Sequence, residues 1–94
     1  MKRAEITIVG RVQGVGFRFY IKELADHYGV NGTVCNSRDG SVRIEAEAEQ
    51  ALVKEFIHHI QLDQGPPQAQ IEGVNVQWHA NLQGYSDFAI VRSW

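Results

Sequence analysis

Ninety-four residues, 44% of them hydrophobic and 21% charged, describe one globular domain over 1–94 that can bury a core without disulfides. A formal net charge of -2 excludes the broad positive field of a nucleic-acid binder, and the single cysteine, Cys35, excludes an intramolecular disulfide or a Cys-rich metal cluster. No charged-then-apolar leader follows Met1 and no apolar run is long enough to span a bilayer, so the expectation is a cytoplasmic protein without a membrane association.

The first strand is predicted over residues 4–12. Ala4, Ile6, Ile8, Gly10 and Val12 share one face; Glu5, Thr7, Val9 and Arg11 share the other. Phe17, Tyr20, Ile21, Leu24, Ala25 and Tyr28 recur at helical spacing, which predicts a helix from Phe17 to Tyr28, stopped by Gly29. A second strand is predicted near Gly32–Ser37, with Val34 and Asn36 on one face and Thr33, Cys35 and Ser37 on the other. Asn36-Ser37-Arg38-Asp39-Gly40 reads as a hairpin turn, since Asp-Gly tolerates positive φ. The third strand, Ser41–Ala48, sets Val42, Ile44, Ala46 and Ala48 against Arg43, Glu45 and Glu47. The second helix is predicted over Glu49–Gln61, with Leu52, Val53, Phe56, Ile57 and Ile60 as its apolar stripe. Glutamates in its first turn suit the helix dipole, although no hydroxyl or amide N-cap precedes it. Gly65-Pro66-Pro67 forms a rigid loop before a fourth strand near Gln70–Trp78. His79–Ser86 reads as loop, and Asp87–Val91 is compatible with a short last strand with Phe88 and Ile90 inward.

This β-α-β-β-α-β order predicts an α+β fold: a ferredoxin-like, open-faced sandwich with an antiparallel sheet in the order 4-1-3-2, room for a short fifth strand, and two helices on one face. The opposite face, carrying Glu5, Thr7, Arg11, Thr33, Ser37, Arg43, Glu45, Glu47, Asn75 and Gln77, is predicted to be polar and solvated.

The candidate functional residues lie where the first strand meets the first helix. Gly14 and Gly16 bracket Val15, and Arg18 falls in the helix's first turn. Helix-opening N–H groups lack internal partners and carry partial positive charge. Glycines let such a backbone approach an anion closely, and a guanidinium adds a paired donor fork. The result is an anion pocket of phosphate size. In the predicted topology the first two strands run parallel with the third between them, so their exits lie at one end, two strand spacings or about 10 Å apart. The 13–18 loop and Asn36 therefore converge. Taken alone, the glycine loop reads equally well as an ordinary tight turn. Arg18 opposes the helix dipole, and that local cost favours a bound anion. Asn36 also suits the start of the hairpin. His58 and His59 are neighbours whose side chains diverge, His27 and His79 lack ligand partners at suitable spacing, and no metal site is expected. Cys35 reads as a strand filler rather than a nucleophile.

Gly10-Arg11-Val12-Gln13-Gly14-Val15-Gly16-Phe17-Arg18 closely resembles the first signature of the acylphosphatase family. Gly32-Thr33-Val34-Cys35-Asn36-Ser37-Arg38-Asp39-Gly40-Ser41-Val42 resembles the second, and Gly65-Pro66-Pro67 followed by Ala69-Gln70-Ile71 resembles the family's loop into its fourth strand. The resemblance covers nearly the whole chain and implies the same βαββαβ architecture. It implies hydrolysis of a small-molecule acyl phosphate to a carboxylate and inorganic phosphate, without a cofactor, a nucleic-acid partner or a metal, in a monomer. By that resemblance Arg18 binds the phosphate and Asn36 orients the attacking water. The backbone of Gln13, Gly14, Val15, Gly16 and Phe17 completes the cradle. Two positions depart from the family pattern: Thr33 stands where an aromatic residue is usual, and Cys35 where a basic one is frequent. Both lie beside the chemistry, so the expectation is altered stability or redox sensitivity rather than lost activity.

Two further readings of the same residues stay open. One is a non-catalytic anion- or ligand-binding module on the same fold. An RNA-recognition domain would need aromatics on the open face of strands one and three, where this chain has Thr7, Val9, Arg11, Arg43, Glu45 and Glu47. The acylphosphatase-like domain of a hydrogenase-maturation protein carries a similar glycine-arginine stretch, but comes fused to much more chain.

Overall fold

A computed structural model of the chain describes residues 1–92. Ser93 and Trp94, part of the expected domain, lie outside the described residues. In chain order the elements are β1 (Lys2–Arg11), α1 (Phe17–Tyr28), β2 (Asn31–Asn36), β3 (Val42–Ala48), α2 (Gln50–Asp63), β4 (Gln70–His79) and β5 (Phe88–Ile90).

Alternation along β1 and β3 buries one face of each: Ala4, Ile6 and Ile8 from the first, Val42, Ile44 and Ala46 from the second. The 3.6-residue period of α1 lays Phe17, Ile21, Leu24 and Ala25 onto that surface, while α2 contributes Val53, Phe56, Ile57 and Ile60. Fully burying each large apolar side chain is worth about 1.5–3 kcal/mol, so this one layer dominates stability. The predicted bounds of α1 hold at both ends. Gly29 adopts φ 72° and Val30 N–H returns to Ala25 O at 2.9 Å, closing the last turn.

The predicted first-turn glutamates of α2 are not in the helix's first turn. Glu49 is its N-cap, contributes only its carbonyl, and makes no side-chain capping bond. The helix also runs two residues further than predicted, to Asp63, and ends on Gln64 in the left-handed region at φ 66°. Gly65 then packs against the Phe17 ring: a Cβ there would lie 2.8 Å from Cε1.

The sheet order is β4-β1-β3-β2-β5. β1 pairs antiparallel with β3 and β4, and β2 antiparallel with β3, so β1 and β2 run parallel. The fifth strand forms and pairs parallel with β2, through Gly32↔Phe88, Thr33↔Ala89 and Val34↔Ile90, making the sheet mixed rather than wholly antiparallel. The chain reaches that far edge by crossing from β4 over the face opposite the helices.

That crossing corrects the expected solvated face. Arg3, Glu45 and Glu47 are buried there. Arg3 Nη1 donates to Glu45 Oε1 at 2.9 Å and its Nε donates to Asn81 O at 3.1 Å. The Glu47 carboxylate accepts backbone N–H groups from Gln83, Gly84 and Tyr85. Alternation tells which side a carboxylate points to; it does not tell what later chain will cover it.

β1 ends irregularly. Its register with β4 shifts between Val9 and Gly10, and Gly10 takes φ 133°. A Cβ at Gly10 would stand 2.1 Å from Gln70 O and 2.8 Å from Glu72 N, both backbone atoms. The bulge thus requires glycine by conformation and by space. Gly10→Ala is expected to cost about 2–4 kcal/mol, read as a lower urea midpoint at unchanged m-value.

Candidate active site

The connection between β1 and α1 is pinned at both ends in the core. Val12 and Phe17 are each 1% exposed, while Gly14 and Gly16 between them face outward. Gly16 sits in the left-handed region at φ 81°, which a side chain rarely adopts, and serves as the α1 N-cap with no side-chain cap bond. The backbone therefore turns directly into the helix with its opening amides uncovered by a capping side chain. Tyr20 N–H is the first to bond within the helix, to Gly16 O at 3.2 Å. No acidic residue stands in the first turn. Partial positive charge from the helix end and the full charge of Arg18 thus share one corner, and an anion is their electrostatic complement.

The second half comes from the hairpin between β2 and β3. Ser37 N–H donates to Ser41 O at 2.9 Å, and Asp39 Oδ1 accepts from Ser41 N–H at 3.0 Å and Ser41 Oγ at 2.6 Å. These bonds hold Asn36, the last residue of β2, opposite Val42. Strand parity places Asn36 on the face of Val34, toward the helix layer. Its carboxamide oxygen is buried, with no hydrogen-bond partner among the described residues.

Gln13 joins the halves. Its Nε2 donates to Ser37 O at 2.8 Å and to Ser41 O at 2.9 Å, so both amide hydrogens end on the hairpin. Sequence reasoning assigned Gln13 a backbone role in the cradle and missed this side-chain clasp. The only available signal was a polar amide at a strand exit predicted to face another turn.

Arg18 is half-buried, and its cation bears on Cys35, the residue before Asn36. Burial pushes the Cys35 thiol up; Arg43 and then Arg18 pull it back in part. The net shift is upward, so Cys35 is a protonated, 2% exposed filler. That opposes the expected redox sensitivity, because the reactive form is the thiolate. Thr33, the other departure, lies against Tyr85 of the crossing segment. The structure thus brings the 13–17 backbone, Arg18 and Asn36 to one end of the sheet.

The histidines are elsewhere. His59 Nδ1 meets Tyr28 Oη at 3.0 Å, and His79 Nε2 meets Glu5 Oε1 at 2.5 Å. Among the described residues no three His, Cys, Asp or Glu side chains cluster to hold a metal, and no helix is long and apolar enough to cross a membrane. Two grooves of about 450 and 460 Å³ lie on the helix layer, and neither is lined by Arg18 or Asn36. A phosphate-sized anion needs convergent donors rather than a deep cavity. Tyr20 borders the second groove. Burial, then the Asp63 carboxylate, holds its phenol above the ordinary value; its oxygen has no partner in bonding geometry, so Asp63 acts as a nearby charge.

Residues 4–90 match the family model described as Acylphosphatase. An acylphosphatase from Thermotoga maritima is 40% identical over 90 residues, spanning 96% of this chain and 97% of the relative. The crystal structure of an acylphosphatase from Bacillus subtilis superposes with a TM-score of 0.92 at 34% identity, covering 97% of this chain and 99% of that one. Full-length HypF, solved in a phosphate- and nucleotide-bound form, matches with a TM-score of 0.86 at 33% identity, covering 98% of this chain but 12% of HypF.

The hairpin's own carboxylate has a pH signature. Hydrogen bonds from the Ser41 hydroxyl, then from its amide, hold Asp39 below its ordinary value of 3.8. A carboxyl depressed by folding stabilises the native state above its unfolded pKa and loses that contribution as pH falls through its folded pKa. Asp39→Asn is therefore expected to be slightly less stable than the parent at pH 6. The difference should shrink below pH 4, as read from melting temperatures across that range.

Proposed function

The chain belongs to the acylphosphatase family, and we propose that Arg18 and Asn36, with the backbone of residues 13–17, are the groups that perform its reaction. It is an enzyme that hydrolyses the carboxyl–phosphate bond of acyl phosphates to a carboxylate and inorganic phosphate. The observation that carries the residue assignment is the Gln13 clasp, which fastens the loop carrying the free helix amides and Arg18 to the hairpin carrying Asn36.

In this reading the Arg18 fork takes two phosphoryl oxygens, and the opening amides of α1 take the charge that develops on the third. Such a transition state asks mainly for positioning and charge stabilisation. The carboxamide of Asn36 holds the water. Its torsion is soft, so the buried oxygen can turn to accept one water O–H while the lone pair faces phosphorus. An amide is too weak a base to remove a proton, so the water's proton passes to a phosphoryl oxygen. The water oxygen bonds to phosphorus as the phosphorus–acyl oxygen bond breaks, and the electron pair leaves with the carboxylate. A carboxylic acid titrates near pH 4, so this leaving group departs without a general acid. That chemistry accounts for a site with no histidine or carboxylate in it.

The same reading takes the substrate to be a small molecule and the working unit to be a cytoplasmic monomer of one domain. An RNA-binding face is disfavoured because Glu45 and Glu47, where stacking aromatics would be needed, lie buried under the crossing segment. Turnover separates hydrolysis from a binding-only module on the same fold.

Arg18→Lys is expected to lower kcat/KM for acetyl phosphate by about 10²–10³-fold, because an ammonium cannot supply the planar fork. Phosphate release against a phosphate-monoester control measures it, and near-full turnover would remove Arg18 from the site. Asn36→Ala is expected to keep inhibition by inorganic phosphate while kcat falls about 10²-fold or more. Loss of phosphate inhibition in that variant would make Asn36 a phosphate ligand instead.

A further inference from the structure

We propose that the Gln13 side chain is a positioning residue for the reaction: it sets the distance and angle between the water held by Asn36 and the phosphate held by the 13–17 backbone and Arg18. The inference rests on the assignment of those groups under the proposed function, and adds to them a side chain that acts through the others.

The strand ladders stop short of the site. β1 pairs with β3 as far as Ile8↔Val42, and β2 pairs with β3 as far as Asn36↔Val42. Past Val42 the 13–17 loop continues from one side and the 37–41 hairpin from the other. Among the described residues, the hydrogen bonds that join these two segments are the pair from Gln13 Nε2 to Ser37 O and Ser41 O.

The carbonyls that Gln13 grips are already fixed by the turn. Ser41 O also accepts from Ser37 N–H at 2.9 Å, and Ser37 O from Gly40 N–H at 3.1 Å. A carbonyl oxygen has two lone pairs, so each takes one bond from the turn and one from the clasp. Gln13 therefore holds the closed turn as a unit.

Asn36 depends on that turn for its place. Its carboxamide oxygen is buried without a hydrogen-bond partner among the described residues, so its position follows from the backbone that leads into the turn. The phosphate loop, by contrast, is anchored in the core through Val12 and Phe17, each 1% exposed. Loss of the clasp thus leaves each half intact and frees one relative to the other. The cost falls on the step in which water meets phosphorus, where a misplacement of about 1 Å is worth on the order of 10²-fold. Phosphate affinity, which uses the loop and Arg18, is spared.

Gln13→Met removes both donors at similar length. With acetyl phosphate its kcat is expected to fall about 10- to 100-fold, while the inhibition constant for inorganic phosphate stays within about twofold of the parent. In an Asn36→Ala background the same substitution should lower the remaining kcat by less than about twofold, because the group it positions is gone. Gln13→Asn keeps the amide but is one methylene shorter, too short to end on both carbonyls, and should lose kcat in the same way. Melting temperatures check that each variant is folded. An unchanged kcat in folded Gln13→Met, a phosphate inhibition constant that rises as far as kcat falls, or full additivity with Asn36→Ala would overturn the positioning role. An error in the assignment of the site shows instead as an unchanged kcat in Asn36→Ala alone, a measurement that Gln13 does not enter.

Discussion

Two hydrogen bonds from one side-chain amide tie together the two halves of the proposed site. The loop after β1 and the hairpin after β2 are separate in sequence and belong to strands that do not touch, because β3 lies between them. Gln13 Nε2 spans that interval and ends on two hairpin carbonyls. A net hydrogen bond is worth only about 1 kcal/mol, but two on one amide fix orientation as well as distance. Around it, Val12 and Phe17 anchor the loop in the core and Asp39 ties the hairpin, so the clasp joins two units that are each already rigid.

Charge is arranged for an anion that the fold itself does not supply. The start of α1 has neither a capping side chain nor a first-turn carboxylate, and Arg18 adds a cation where the dipole disfavours one. A helix whose only task was stability would be expected to do the opposite. Carboxylates that could have neutralised this corner are used on the far face of the sheet, where Glu47 gathers three backbone amides and Glu45 takes Arg3. Removing one partner from such a buried set leaves an unpaired charge, which is costly, although the intact set adds little net stability. Its clear effect is geometric: it holds the segment from β4 to β5 across the sheet, which delivers β5 to the edge of β2. β5 in turn supports the strand that carries Asn36.

Phosphate chemistry with a carboxylate leaving group asks little of acids and bases, and the arrangement reflects this. The titratable groups with distinct environments, Cys35, Tyr20, Tyr85 and Asp39, are shifted by burial or by structural hydrogen bonds and lie outside the proposed reacting set. What the proposed site would offer is donors in position, and in phosphoryl transfer positioning and charge stabilisation supply most of the rate enhancement.

The sequence by itself determined whatever depends on near neighbours. Period-two and 3.6-residue patterns specified the principal strands and both helices, Gly29 specified the end of α1, and the glycine–arginine loop and Asn36 pointed to the proposed site, because side-chain alternation and turn preferences act within a few residues. Tertiary structure decided the rest. The Gly10 bulge exists because β4 passes too close for a Cβ. The buried Arg3–Glu45 pair exists because a segment some eighty residues further along the chain than Arg3 closes over it. The Gln13 clasp exists because two parallel strand exits meet at one end of the sheet. Each depends on which distant segment arrives at a given place, and no local pattern of apolar and polar residues encodes that arrival.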